Sequence, residues 1–404
     1  MTVCAEETPS AEVGVGPEAV AEVWDAVRRL YQTGLYPGIQ VCVRREGQIV
    51  LHRSIGHARG NAPGEADPVQ KRVLEPATPF TLYSASKAVT AMLVHKLDER
   101  GLLSLEDRVC EYIPEFAAHG KDAITLHHIL AHRAGIPKVP PEATDLEMLG
   151  DRDAILAALC NTRPSWEAGR WLAYHAISGG FVLGAVIERV TGEDLRCVLD
   201  REIRTPLGMR WFSYGVARDE IQQVAEDAFT GFPAVPPFST VLNRALGVDL
   251  HEAVALSKDP RFFLHPIPSV NVVATAEEVS RFYQCLLDGG RWGGRQVFES
   301  RTVDRATSEQ SCMEIDLTLG LPIRYGLGFM LGGKTLSLYG PDTPLAFGHI
   351  GLTNIISWAD PERRVAAAIL TSGKPFVNLD ILRVLQVLRA IGRSFPKGSS
   401  PGSS

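Results

Sequence analysis

The sequence predicts an α+β protein of two lobes, and three observations lead there. Alternating apolar and polar residues, the mark of strands, occur near both ends of the chain. Between them apolar residues recur at helical spacing, broken by long irregular connections. One helical pattern, Ala88 to Leu97, is apolar nearly all round, as a helix buried between two structural units must be. An antiparallel sheet drawn from both ends and flanked by the first and last helices satisfies this layout. The expected units are a flexible start over 1–16, an α/β lobe from 17–104 and 291–393, a mainly helical lobe over 105–290 with pocket-forming loops, and a disordered tail over 394–404.

The elements follow in order. Pro17 opens a helix in which Val20, Val23, Trp24, Val27, Leu30 and Tyr31 share one face, and Gly34 stops it. Ile39, Val41 and Val43 alternate with Gln40, Cys42 and Arg44, and Glu46-Gly47 turns the chain into Gln48 to His52, a hairpin. Residues 56–80, rich in Gly, Pro and charge, read as a loop. The buried helix follows and Gly101 ends it. Asp153 to Cys160, Gly179 to Val190 and Ala276 to Leu287 are the clearest helices of the middle region. Strand patterns return at Gln296 to Phe298, Tyr325 to Leu331, Thr335 to Tyr339, Leu345 to His349, Asn354 to Trp358 and Val365 to Thr371. A last helix carries Ile381, Leu382, Val384, Leu385 and Leu388 on its apolar side.

With 404 residues, 45% of them hydrophobic, the chain can bury a large core. A net charge of −6 without a Lys/Arg block argues against a nucleic-acid partner. No apolar run is long enough to span a bilayer, and the acidic segment Met1 to Gly16 lacks the form of a signal peptide. Seven scattered cysteines without CxxC pairs point to reduced thiols and a cytoplasmic location.

Chemistry concentrates at Ser84-Ala85-Ser86-Lys87. A serine three residues before a lysine at a helix start sets a hydroxyl and an amine on one face, a turn apart. A neighbouring base activates an otherwise weak hydroxyl nucleophile, and free N–H groups at the helix start favour a developing anion. Taken alone, the pair also fits an N-cap serine beside a solvent-facing lysine. Ser394-Phe395-Pro396-Lys397 repeats the spacing, but Pro396 and the tail beyond it deprive it of a helix. A second segment, Trp171 to Gly180, brings Tyr174 to the entry of a helix, where a phenol can share protons with Ser84 and Lys87. A third, Phe347 to Asn354, lies between strand patterns, and its Leu352 N–H can pair with that of Ser84 as an oxyanion hole.

These three segments resemble, in order and spacing, the serine β-lactamase and penicillin-binding-protein superfamily. Over roughly 18–392 the chain is most similar to its class C-like branch, and above all to family VIII carboxylesterases. Leu130 to Pro137, Pro164 to Gly169, Pro268-Ser269-Val270 and Tyr325 to Phe329 carry the likeness further. The resemblance implies a β-lactamase/transpeptidase-like fold, with Ser84 acylated, Lys87 accepting its proton and Tyr174 shuttling protons. It implies an oxyanion hole from Ser84 and Leu352, and substrate contacts from His349, Ile350, Gly351, Trp171 and His175. No cofactor or metal is implied, and the partner is a small-molecule ester.

Two departures bear on substrate. Ala176 stands where Tyr-x-Asn would place an amide, and His349-Ile350-Gly351 stands where Lys-Thr-Gly would place a cation for a carboxylate. An uncharged acyl ester of short to medium length is therefore the expected substrate, with Trp166, Trp171, Phe238 and Phe347 as apolar bulk. Acyl transfer, weak β-lactam or D-amino-acid peptide hydrolysis, and a silent acyl-binding module are the alternatives.

Two further patterns are read as coincidences. Gly328 to Thr335 matches the P-loop pattern but leads into a strand pattern rather than a helix. His128 and His132 stand four apart, without the Glu of a zinc-binding helix, and are assigned structural or capping roles.

Overall fold

Strands from the two ends of the chain meet side by side in one antiparallel sheet. The computed structural model describes residues 1–63, 71–233, 236, 238–376 and 381–398. Its main sheet comprises β1 (Thr2–Cys4), β2 (Gly38–Arg45), β3 (Gln48–Arg59), β4 (Met330–Leu331), β5 (Phe347–Gly351), β6 (Ile355–Asp360) and β7 (Val365–Thr371). The order across it is β1-β3-β2-β7-β6-β5-β4, with Arg72–Val73 beside β3. The closure of the two ends is the β2–β7 ladder, registered from Ile39 opposite Thr371 to Arg45 opposite Val365.

Helices cover both faces because the strands alternate. Arg53, the cross-strand partner of Val41, lies over the Trp24 ring of α1 (Pro17–Tyr31), 5.6 Å from its centroid. α1 packs in turn on the last helix, α5 (Ile381–Ser394). The adjacent residues Cys42 and Arg44 face the other way, against α4 (Ala276–Leu287), where Ser280 Oγ is 3.2 Å from Cys42 Sγ and 3.1 Å from Arg44 Nε. Their partners in β7 are Ala368 and Ala366, small enough for α4 to pack closely on that face.

α2 (Ser86–Glu99) is buried from Ser86 to His95, and packs against α3 (Ser178–Thr191) of the helical lobe and against β5. Two of its polar side chains find partners across the fold. Thr90 Oγ1 donates to Pro268 O at 2.6 Å, and a His95 ring nitrogen meets Leu327 O at 3.0 Å. Among the described residues no helix is long and apolar enough to cross a membrane.

The structure departs from the sequence expectations in several places. Thr335 to Tyr339 is not a strand: Tyr339 folds inward to stack on Trp358, its hydroxyl donating to Met330 O at 3.0 Å, while Leu336 is left exposed. The strand expected over Tyr325 to Leu331 shortens to β4, because Gly328 adopts a φ of 97° and its N–H turns to Leu130 O. In place of a strand at Gln296 to Phe298 there is a small hairpin, Arg291–Trp292 with Arg295–Gln296. The first sixteen residues, expected to be flexible, are tied to the sheet by β1 and by the Glu7–Arg53 ion pair at 2.7 Å. The C-terminal helix runs to Ser394 with Phe395 buried, and residues 399–404 of the expected tail lie outside the described residues.

Candidate active site

Ser84 lies in a single helical turn, Tyr83–Ala85, that leads directly into α2, and is half-buried. Both flanks of the turn are anchored. Leu82 N donates to Val272 O at 2.8 Å, and Ser86 Oγ accepts from Val272 N at 3.0 Å. Lys87, one turn along and buried, places Nζ 3.1 Å from Ser84 Oγ and 3.2 Å from Ser269 O. Burial holds its pKa well below the ordinary lysine value. The ammonium donates to both oxygens; the free amine instead offers a lone pair to the Ser84 hydroxyl proton.

Tyr174 completes a three-way contact. Lys87 Nζ stands 4.8 Å from the centroid of its ring. Its phenol interacts with Ser84, a contact that opposes part of the rise in pKa caused by burial. The backbone of Tyr174 is fixed by a residue the sequence reading missed. Asp316 Oδ1 accepts from Tyr174 N at 3.1 Å, Thr318 N at 2.8 Å and Leu319 N at 2.9 Å, while Oδ2 accepts from the Tyr325 hydroxyl at 3.1 Å. His132 was also missed as a site residue. Its ring packs 4.8 Å from that of Tyr174 and 5.0 Å from that of Tyr325. Asp316 belongs to no recognisable pattern; His132 stood out only by its spacing from His128 and by its place within Leu130 to Pro137.

His175 is turned away from Ser84. Its Nε2 accepts from Ile136 N at 3.1 Å, and its backbone N–H donates to His132 Nδ1 at 3.2 Å. It belongs to a polar layer behind Lys87 rather than to the cleft in front of Ser84.

The third segment is β5 and the turn after it. Gly351 is required there, since a Cβ would lie 2.1 Å from Leu82 O; its absence lets the strand close on the Ser84 turn. Positive φ at Thr353 (33°) and Asn354 (66°) then reverses the chain into β6. His349 Nδ1 donates to Ile350 O at 2.8 Å. Burial, and then the nearby Lys87, push its pKa down to about 3, so the ring is neutral at physiological pH.

In front of Ser84 lies a cleft with about 670 Å³ of empty space, part of it open to solvent. Its walls include Leu149, Ile177, Leu246, Leu256, Phe262 and Leu352, and no charged side chain lines it among the described residues. Leu246, Ala253, Leu256 and Phe262 of this wall come from three helices, Phe238–Leu246, Leu250–Leu256 and Arg261–Leu264, in a region expected to supply pocket-forming loops. Ala176 is part of it, where an amide would have made it polar. The expected aromatic bulk is elsewhere. Trp171 is half-exposed against Arg170, Phe347 packs in the core on Phe329 and Tyr283, and Trp166 does not line the cleft. The Phe238 side chain lies outside the described residues.

The two coincidental patterns have structural explanations. Gly332 to Gly340 forms irregular turns and no helix, so no helix N-terminus meets the Gly-rich stretch. His128 Nδ1 accepts from Thr125 N at 3.1 Å and caps its own short helix. Among the described residues no three His, Cys, Asp or Glu side chains converge as a metal site.

An antiparallel sheet closed by both chain ends, a helical lobe, and a serine–lysine–tyrosine cluster between them define a protein of the β-lactamase/transpeptidase-like superfamily. The chain belongs to the beta-lactamase family, whose profile matches residues 25–389. It is 30% identical to the "Esterase/beta-lactamase LipL" of Mycobacterium tuberculosis over 300 residues, covering 72% of this chain and 68% of that one. Among solved structures it is similar to a penicillin-binding protein homologue from Caulobacter crescentus (TM-score 0.79, 28% identity, covering 96% of this chain and 100% of that one). It is also similar to a family VIII carboxylesterase (TM-score 0.77, 27% identity, covering 93% and 98%).

Proposed function

We propose that this protein is a serine carboxylesterase that hydrolyses uncharged short-to-medium acyl esters through an acyl-enzyme on Ser84. One observation carries the reading: Lys87 Nζ stands 3.1 Å from Ser84 Oγ, with burial favouring its neutral amine. The amine takes the hydroxyl proton as Oγ bonds to the ester carbonyl carbon. The Ser84 and Leu352 amides stabilise the oxyanion. Tyr174 relays the proton to the leaving alkoxide, which departs as the alcohol. Water then attacks the acyl-enzyme carbonyl, the same groups take its proton and return it to Ser84 Oγ as the acyl–Oγ bond breaks, and the carboxylic acid leaves.

The substrate class follows from what the cleft lacks. A neutral His349 offers no cation to a substrate carboxylate, and Ala176 offers no amide, so binding rests on apolar contact with the acyl group. The similarity to LipL and to a family VIII carboxylesterase supports the same reading. Seven free cysteines support a reducing compartment such as the cytoplasm.

Turnover of p-nitrophenyl butyrate tests the proposal. Ser84→Ala is expected to abolish it; an undiminished rate would place the nucleophile elsewhere.

A further inference from the structure

We infer that Tyr83, Asp227 and Lys374 form a positioning device that holds the Ser84 turn in shape for attack. The inference rests on Ser84 being the nucleophile.

The residue before Ser84 is under strain. Tyr83 has a φ of 48°, in the left-handed region that bulky residues avoid and glycine enters freely. Such a conformation persists only where surrounding contacts over-determine it. Here the restraint acts at the far end of the side chain. The phenol donates to Asp227 Oδ2 at 2.6 Å, and Asp227 Oδ1 lies 3.1 Å from Lys374 Nζ. That ammonium also donates to Thr371 O and stands 5.0 Å from the centroid of the Tyr83 ring. Tyr83, Asp227 and Lys374 are 4%, 6% and 0% exposed, so water offers the hydroxyl and the carboxylate little competition.

The backbone brings this pair to the turn from two directions. Gly373–Lys374, just past the end of β7, runs parallel to Ala228–Phe229, which follows Asp227. A Cβ on Gly373 would fall 1.9 Å from Leu35 O, so this strand cannot shift without moving the chain beside it. The turn itself is pinned through Leu82 on one side and Ser86 on the other. Relaxation of Tyr83 to a negative φ must therefore be absorbed between those anchors, where Ser84 and Ala85 are the residues found. Asp227 and Lys374 act through Tyr83 and Ser84 and are positioning residues, whereas Tyr83 also lines the cleft.

The test is a double-mutant cycle read by fluorophosphonate labelling of Ser84, with the labelled peptide identified by mass. Asp227→Asn is expected to slow labelling by about tenfold, the worth of one charge-assisted hydrogen bond. KM for p-nitrophenyl butyrate should change by less than about twofold, since no substrate contact is lost. Tyr83→Gly removes the strain and the need for restraint, together with a ring that lines the cleft, so its own labelling rate is the baseline for that background. In that background adding Asp227→Asn should leave the labelling rate unchanged, a non-additivity that a merely stabilising ion pair would not produce. Tyr83→Phe, which keeps the buried pair and loses only the hydroxyl, should slow labelling as Asp227→Asn does, and replaces it if that variant does not fold. Equal losses from Asp227→Asn in both backgrounds, or undiminished labelling in Tyr83→Phe, overturn the inference alone. Labelling of the native protein at a residue other than Ser84 overturns the nucleophile reading and this inference with it.

Discussion

Lys87 and Lys374 are both buried and both touch the Ser84 turn, yet their surroundings differ in kind. Lys87 faces a hydroxyl, a carbonyl and an aromatic ring, and burial lowers its pKa with no carboxylate beside it among the described residues to compensate. Lys374 faces Asp227, whose charge offsets part of the same burial effect. A buried ammonium with a carboxylate beside it stays charged and ties chain segments together. One without a carboxylate sheds its proton and becomes a base. On the proposed mechanism, two lysines from one fold divide into architecture and chemistry, and one neighbouring side chain decides the division.

The comparison is broken most severely by Lys87→Arg. Arginine keeps a proton at every working pH, so kcat/KM for p-nitrophenyl butyrate should fall by about a thousandfold. Retention of wild-type rates would mean that no base is needed at this position.

A second experiment sharpens the contrast through stability. Lys374→Met leaves Asp227 buried and unpaired, and should cost about 3–5 kcal/mol in a denaturant titration. Lys87→Met should act in the opposite direction. In the unfolded chain Lys87 holds its proton up to about pH 10.5, whereas in the folded chain it releases it well below that. Between those two values the unfolded state binds more protons, so stability rises with pH. The burden of burying Lys87 is therefore full at low pH and relieved as pH approaches 10.5. Lys87→Met should raise Tm at pH 7, by a margin that shrinks toward that upper value. A fall in Tm for Lys87→Met would remove the distinction between the two lysines.

The smallest effect is expected at the cleft rim. Trp171 is half-exposed and does not line the cleft, so Trp171→Ala should change kcat/KM by less than about twofold. A tenfold loss would bring that indole into the substrate path.

What could be read from the sequence divides along similar lines. The Pro17 and Ala276 helices and the Val365 strand were legible to the residue, because their periodicity is produced by packing on one large core. The Ser84–Lys87 contact was legible because one helical turn fixes it locally. Tyr174 came within reach only through the order of three distant segments. The site roles of Asp316 and His132 were not legible: one accepts a hydrogen bond from the Tyr174 backbone and the other packs on its ring across the fold, which no local spacing records. The cleft wall was misassigned to aromatics because bulk is visible in a sequence and direction is not. Trp171 points outward and Phe347 points into the core, while Leu149, Leu246 and Leu256, which drew no notice, line the pocket. Tyr339 shows the same limit: alternation suggested a strand, but stacking on Trp358 required a turn.

The central claim is that Lys87 is a neutral amine when it meets Ser84. Titration of its Nζ by ¹⁵N NMR, beside the pH dependence of Ser84 labelling by a fluorophosphonate, tests this directly. The predicted result is one midpoint, well below the ordinary lysine value, in both measurements, with labelling lost as pH falls through it. An Nζ that keeps its proton up to the ordinary lysine range while Ser84 is labelled at full rate near neutral pH would contradict it.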